Sequence, residues 1–299
     1  MQAMFLINVI LPLCMAVIMF GMGLSLLVED FKRILVYPKA VAIGVLGQII
    51  LLPAVGFLIA SIFSLSPEQS VGLMVLTACA GGATSNMIVY LAKGDVALSV
   101  SLTAISCVIT TITIPFVVNF ALFHFMDVSE AAALPIGITN MKLFFLILFP
   151  VLIGLLVHSR FPVIAGRLER HVNWFSVVFF VVLVAGIVAQ NLDILAVALP
   201  SVGPATFTLS AVTMSIGYIL SRIFRLNIRQ STAISIEIGV QNSATGIFIA
   251  TVLLKSTEIA LTPSVYSLIM YFNAGILILL MARRAKLEKQ QEQQSIVQF

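Results

Sequence analysis

Charge is what this chain has least of. Lysine, arginine, aspartate and glutamate supply 9% of its 299 residues, whereas 61% are hydrophobic; soluble domains carry about 25% charged residues. That shortfall excludes a water-soluble globular protein, and with it any estimate of domain number from length. The alternating segments of about 10 residues that a transmembrane β-barrel needs are missing too. There is no HExxH, no GxSxG and no P-loop pattern. His124, His158 and His171 stand near the ends of apolar runs, none with a second histidine at metal-ligand spacing. Cys14, Cys79 and Cys107 lie inside apolar segments, again without such spacing, and read as small buried hydrophobes. The common enzyme chemistries are therefore disfavoured. The basic residues sit at the ends of apolar runs, so no nucleic-acid partner is expected, and no obligatory protein partner is evident.

What the chain has in abundance is apolar length. Runs of about 20 residues suit helices crossing a hydrocarbon core of about 30 Å. Hydropathy places nine spans at residues 4–26, 39–63, 70–92, 96–123, 133–157, 172–190, 203–222, 230–254 and 262–282. The expected fold class is an all-α polytopic membrane protein, with residues 1–299 as one integral membrane domain and the lipid bilayer as its surroundings. The first run lacks a basic n-region and exceeds a usual h-region, so it reads as a retained helix and not a signal peptide. The loops separate by charge. One side holds Lys32, Arg33, Lys39, Lys93, Arg160, Arg167, Arg170, Arg222, Arg225, Arg229, Arg283, Arg284, Lys286 and Lys289; the other holds Lys142 and Lys255. The basic side is expected to be cytoplasmic, which puts the N-terminus outside and the C-terminus inside. The tail "RRAKLEKQQEQQSIVQF" is expected to be a frayed cytoplasmic end.

Two spans are interrupted by polar residues. The eighth contains "SIEIGVQNSATG", residues 235–246. Glu237 follows Arg229 by eight residues and so lies roughly 12 Å into the span. It is the one acidic residue placed deep in an apolar run; such carboxylates are costly and usually functional, although an interhelical hydrogen-bond partner is the plainer reading. The third span contains "ACAGGATSNMIVY", where Gly81 and Gly82 precede Thr84, Ser85 and Asn86. Adjacent glycines weaken a helix, although small residues also serve close helix packing. Considered together, spans 2–4 and 7–9 form inverted repeats with an interrupted middle helix in each, the sequence pointer to a secondary transporter's midplane site. On the fourth span Ser99, Thr103, Ser106 and Thr110 share one helical face. Such hydroxyls either line a site or bond the carbonyl one turn back. Gln48 is the one side-chain amide of the second span. Hard oxygen donors around one carboxylate suit a hard cation better than copper or zinc. Na⁺ and a proton both remain open as the coupling ion.

The segments "IMFGMGLSLLVEDFKRILVYPKAV", "GGATSNMIVYLAKGDVALSVSLTAIS" and "IEIGVQNSATG" resemble the bile acid:sodium symporter family, closest to its bacterial members. The resemblance covers nearly the whole chain. It implies a nine-helix form of a ten-helix inverted-repeat fold. A panel of spans 4–26, 133–157 and 172–190 would face a core of residues 39–123 and 203–282, in which two discontinuous helices cross. It further implies alternating-access symport of an organic anion, a bile-acid-like or pantoate-like carboxylate, coupled to two Na⁺ ions in a bacterial inner membrane. Ser85, Asn86, Ser99, Thr103 and Glu237 would hold one Na⁺. Gln48, Glu237, Gln241 and the backbone oxygens of Ile238 and Val240 would hold the second. Ala83, Thr84, Asn242, Asn273 and Phe272 would contact the substrate. The chain reads GGATSN where the family often reads GGTASN, and Phe272 stands where some relatives have histidine. Two rival readings are a proton-driven transporter of the arsenite-efflux type, to which Cys79 would be relevant, and a transport-incompetent ligand sensor.

Overall fold

A computed structural model describes residues 9–126, 134–190 and 192–297, with the side chains among them except those of residues 33, 34, 83, 190 and 284 onward. Residues 4–8 of the first expected span, residue 133 of the fifth, the Ala83 side chain and the basic side chains of the tail after Arg283 lie outside this description.

All regular structure among the described residues is helical. The helices are α1 (Leu11–Leu24), α2 (Val28–Val36), α3 (Pro38–Ile62), α4 (Pro67–Ala78), α5 (Ala83–Leu91), α6 (Val96–Phe125), α7 (Ile136–Arg160), α8 (Pro162–Gln190), α9 (Leu192–Ile223), α10 (Ile228–Gly239), α11 (Ser243–Phe248) and α12 (Thr257–Val297). Seven helical runs are long and apolar enough to cross a membrane: α3, α6, α7, α8, α9, the run Ile228–Leu253 that contains α10 and α11, and the part of α12 up to Arg283. α1 is apolar but shorter. The expected third span is divided between α4 and α5.

The boundaries differ from the expected ones where polar residues continue a helix. α8 starts at Pro162 and α9 at Leu192, each about ten residues ahead of the span read from hydropathy. Proline at the first helical position explains the start of α8. α12 runs on to Val297, so the tail expected to fray is helical; its Ala, Lys, Glu and Gln residues are good helix formers.

Entry into the two interrupted segments is fixed by matching devices. Ser66 caps α4 in a box with Gln69, and Asn227 caps α10 in a box with Gln230. Asp95 caps α6 through the Leu98 N–H. α1 packs on α7 and α8, and α9 packs on α10 and α12. At the α1–α7 crossing a Cβ on Gly23 would meet Val151 O at 2.1 Å, and one on Gly154 would meet Phe20 O at 2.3 Å. Only glycine permits that backbone approach, the small-residue packing typical of membrane helices.

Candidate functional site at the helix breaks

The chain unwinds at residues 79–82, between α4 and α5, and at residues 240–242, between α10 and α11. Both breaks are shorter than the polar runs that mark them. Thr84, Ser85 and Asn86 already belong to the first turn of α5, Gly239 closes α10, and Ser243 opens α11. The breaks touch: the Asn242 N–H donates to Ala80 O at 3.0 Å. Unwound backbone at this depth is tolerated only where protein or a polar cavity covers it.

Glu237, in the last turn of α10, is fully buried at 0% exposure. Four donors converge on its carboxylate. Ser85 Oγ (2.6 Å) and Ser99 Oγ (2.5 Å) donate to Oε1, while Thr103 Oγ1 (2.9 Å) and Gln48 Nε2 (3.4 Å) donate to Oε2. Among the described residues no cationic side chain pairs with it. The sequence had placed Gln48, Ser85, Ser99 and Thr103 on three separate spans, and the fold brings all four to Glu237 from α3, α5 and α6. Asn86 joins through its Oδ1, 2.7 Å from Ser99 Oγ and an alternative acceptor for the same hydroxyl hydrogen.

The other predicted ion ligands sit beside this group. Gln48 Nε2 also donates to the Glu237 backbone oxygen at 2.7 Å, and Gln241 Nε2 donates to Ile238 O at 2.7 Å. Gln241 is 1% exposed, and its Oε1 has no hydrogen-bond partner among the described residues. A buried acceptor left in that condition is unusual and calls for a donor or a cation. Val240 lies in the break itself, fully buried.

The residues expected to contact substrate are more scattered. Asn242 caps α11 by accepting from the Thr245 N–H at 3.1 Å. It also borders a narrow cleft shared with Met19 and Met22 of α1, Cys107 and Thr110 of α6 and Ile147 of α7. Thr84 is exposed in the first turn of α5. Asn273 donates to Phe207 O at 3.2 Å, and Phe272 is 64% exposed with its ring 6.5 Å from that of Phe207. These last two turn to α9 and not to the crossing. Cys79 Sγ bonds back to Val75 O within its own helix turn.

Several contributors were not legible beforehand. A Cβ on Gly81 would stand 2.7 Å from Glu237 Oε2, so this glycine is required by the carboxylate as well as by the break. Gln48 sits in a π-helical turn, Gly47–Leu51, a feature frequent at functional sites. Ser106 Oγ donates to Gln48 Oε1, and the Tyr266 hydroxyl donates to Gly239 O at 2.7 Å at the end of α10. The polar stripe on the fourth span was the one available signal for Ser106; Tyr266 left none.

The model of the Sodium Bile acid symporter family matches residues 12–198 of this chain. The chain belongs to this family. An uncharacterized sodium-dependent transporter of Bacillus subtilis, YocS, is 32% identical over 241 residues, 79% of this chain and 72% of that protein. A probable chloroplastic sodium/metabolite cotransporter of Oryza sativa subsp. japonica, BASS1, is 33% identical over 236 residues, 78% of this chain and 56% of that protein. The human ileal sodium/bile acid cotransporter is 27% identical over 239 residues, 79% of this chain and 67% of that protein. The family and its apolar helices identify a multi-pass membrane protein of a transporter lineage, not an enzyme.

Proposed function

We propose that this protein is a Na⁺-coupled symporter of an organic anion, working by alternating access. The observation that carries the reading is the Glu237 carboxylate, fully buried, without a cationic partner among the described residues and ringed by polar side chains of α3, α5 and α6. A serine or threonine hydroxyl can donate to a carboxylate and still offer a lone pair to a cation. Ser85, Ser99, Thr103, Asn86 and Glu237 thus form a first Na⁺ site. The unpartnered Gln241 Oε1, with Gln48, Glu237 and the Ile238 and Val240 carbonyls, forms the second. Two cations on one carboxylate leave excess positive charge, which favours an anion near Asn242 and the first turn of α5. Thr84, in that first turn, would extend the wall on the substrate side, whereas Phe272 and Asn273 face α9 and stand apart from it. Na⁺ orders the crossing, and by reciprocity the substrate raises Na⁺ affinity.

In this reading α1, α7 and α8 are the panel, and the remaining spans are the core, arranged as inverted repeats in a nine-span topology. The N-terminus lies outside and the C-terminus in the cytoplasm. Support for the repeat comes from the paired capping boxes and the paired breaks. Likeness to sodium-dependent relatives favours Na⁺ over a proton as coupling ion; the hydroxyls around Glu237 can serve either ion, since each both donates and accepts. The Cys79 thiol, bonded within its own helix, favours the symporter over the arsenite-efflux type.

Purified protein in proteoliposomes tests the reading. An inward Na⁺ gradient should drive uptake of one or more small carboxylates, and an equal proton gradient should not. Proton-driven uptake indifferent to Na⁺ would overturn it. Cysteines placed at Ser66 and Ser256 should label from outside and one at Gln290 only after permeabilisation; the reverse would remove the orientation.

A further inference from the structure

Most hydroxyls along the middle of α6 bond a carbonyl one turn back. Ser101 bonds Ala97 O, Thr110 bonds Ser106 O and Thr111 bonds Cys107 O, which is ordinary behaviour for such residues in a membrane helix. Ser106 does not. Its hydroxyl crosses to α3 and donates to Gln48 Oε1. Both residues are buried, Gln48 at 1% exposure and Ser106 at 0%.

The amide of Gln48 is therefore held from two sides of different character. On one side stand two acceptors of Glu237, its backbone oxygen at 2.7 Å and its Oε2 at 3.4 Å, which require the amide NH₂ to face them. On the other side stands a hydroxyl, which both donates and accepts. A cation settling between Gln48 and the Glu237 oxygens reverses the first requirement, because it needs the amide oxygen and repels the NH₂. The amide must then turn by about 180°, which presents its NH₂ to Ser106. A hydroxyl meets that reversal by accepting where it had donated; a donor-only or acceptor-only neighbour would hold one orientation.

We infer that Ser106 is a positioning residue for ion binding, a two-way partner that keeps the Gln48 amide bonded in both the ion-free and the Na⁺-bound orientation. The inference rests on the Na⁺ sites proposed above. Ser106 touches neither the substrate wall nor the carboxylate in the contacts described, so its effect is on Na⁺ affinity and not on chemistry at the anion.

Two substitutions of nearly equal size separate the hydroxyl from its bulk. Ser106→Thr keeps a two-way hydroxyl, and Ser106→Val does not. In the ion-free form the Val variant leaves an amide oxygen under-satisfied, which buried carbonyls tolerate better than N–H groups do. In the bound form it leaves a buried N–H without an acceptor, so the half-saturating Na⁺ concentration should rise about tenfold. The readout is thermal stabilisation of purified protein in detergent, titrated with NaCl against KCl at constant ionic strength, because an ion bound to the folded state alone raises its stability. The half-saturating Na⁺ concentration, and not the melting point in KCl, is the quantity compared; a purely structural role would move only the latter. The expected result is a Thr variant within about twofold of the parent and a Val variant about tenfold weaker. A Val variant that titrates like the parent, or a Thr variant as weak as Val, overturns the role of Ser106. A parent with no Na⁺-specific response overturns the ion-coupled reading itself, a result distinct from either.

Discussion

The two broken segments enter and leave the fold alike and differ in between. Each is preceded by a residue in left-handed backbone, Ser64 at φ 48° and Arg225 at φ 61°. Each then starts with a capping box and ends before another left-handed residue, Lys93 at φ 56° and Lys255 at φ 54°. None of the four is glycine, so each turn bears a conformational cost that its flanking helices must hold in place. Inside the segments the devices part. The first break relies on small residues: Gly82 stands at the N-cap of α5 with no side-chain cap. The second relies on side chains: Asn242 caps α11, Tyr266 caps Gly239 O, and Ser210 adds a 3.3 Å bond to the same oxygen. The first break supplies room and the second supplies charge. Glu237 fits at the crossing because Gly81 makes no side-chain claim on the space next to its Oε2.

Removing the charge should have the largest effect. Glu237→Gln keeps the shape and loses the ion's counter-charge, and Na⁺-driven uptake should fall about 100-fold or more in protein that still folds. Glu258→Gln, in the first turn of α12, should behave like the parent. Near-parental uptake by correctly folded Glu237→Gln protein would end the carboxylate-centred account.

Filling the room comes next. In Gly81→Ala the new Cβ stands 2.7 Å from Glu237 Oε2 and 3.3 Å from Gln48 Nε2, so the carboxylate must move. A displacement of this size in a binding constellation costs about 10- to 100-fold. Gly82→Ala meets nothing closer than 3.7 Å and has an extended backbone that alanine accepts. Its Na⁺ titration should stay near the parent's. Equal losses in the two variants would mean that glycine matters here for flexibility and not for space.

A smaller effect attends the second break. Tyr266→Phe removes the stronger of the two caps on Gly239 O, leaving Ser210 at 3.3 Å. Unfolding free energy should drop by about 1 kcal/mol, measured by denaturation in detergent, with Na⁺-driven uptake changed little. A loss of uptake as large as that of Gly81→Ala would make the cap part of the ion site.

The carboxylate and its ring were readable in the sequence because polar groups in an apolar run have few bland explanations. Glu237, Ser85, Ser99, Thr103 and Gln48 were each conspicuous by type and depth. What could not be read was direction. Nothing in the stripe on α6 distinguishes Ser106, which reaches across to Gln48, from Thr110, which bonds its own helix. The extent of unwinding was not legible for a related reason. Thr84 and Ser85 at the first break, and Ser243 at the second, look like loop residues. Each nevertheless lies in the first turn of a helix, where short hydroxyl side chains are well tolerated once a break has occurred.

The smallest effect is expected at Cys79, and it separates the two transporter readings. Cys79 closes α4 at the edge of the first break, where a thiol facing the crossing would be positioned to meet a soft substrate such as arsenite. Its Sγ instead bonds Val75 O, and the residue is 1% exposed within the apolar core. The corresponding end of α10 carries Val240, with no thiol and no polar side chain. If the two breaks do the same work, Cys79 contributes volume and not chemistry. Cys79→Ala should then cost some packing, of the order of 1 kcal/mol, while Na⁺-driven carboxylate uptake stays within about twofold of the parent. The measurement is initial uptake rate in proteoliposomes at matched protein density, with Cys107→Ala as the companion, since Cys107 lines the cleft at the crossing. Abolished transport in Cys79→Ala alone, in protein that melts like the parent, would break the likeness between the breaks and return the first one to the arsenite-efflux type.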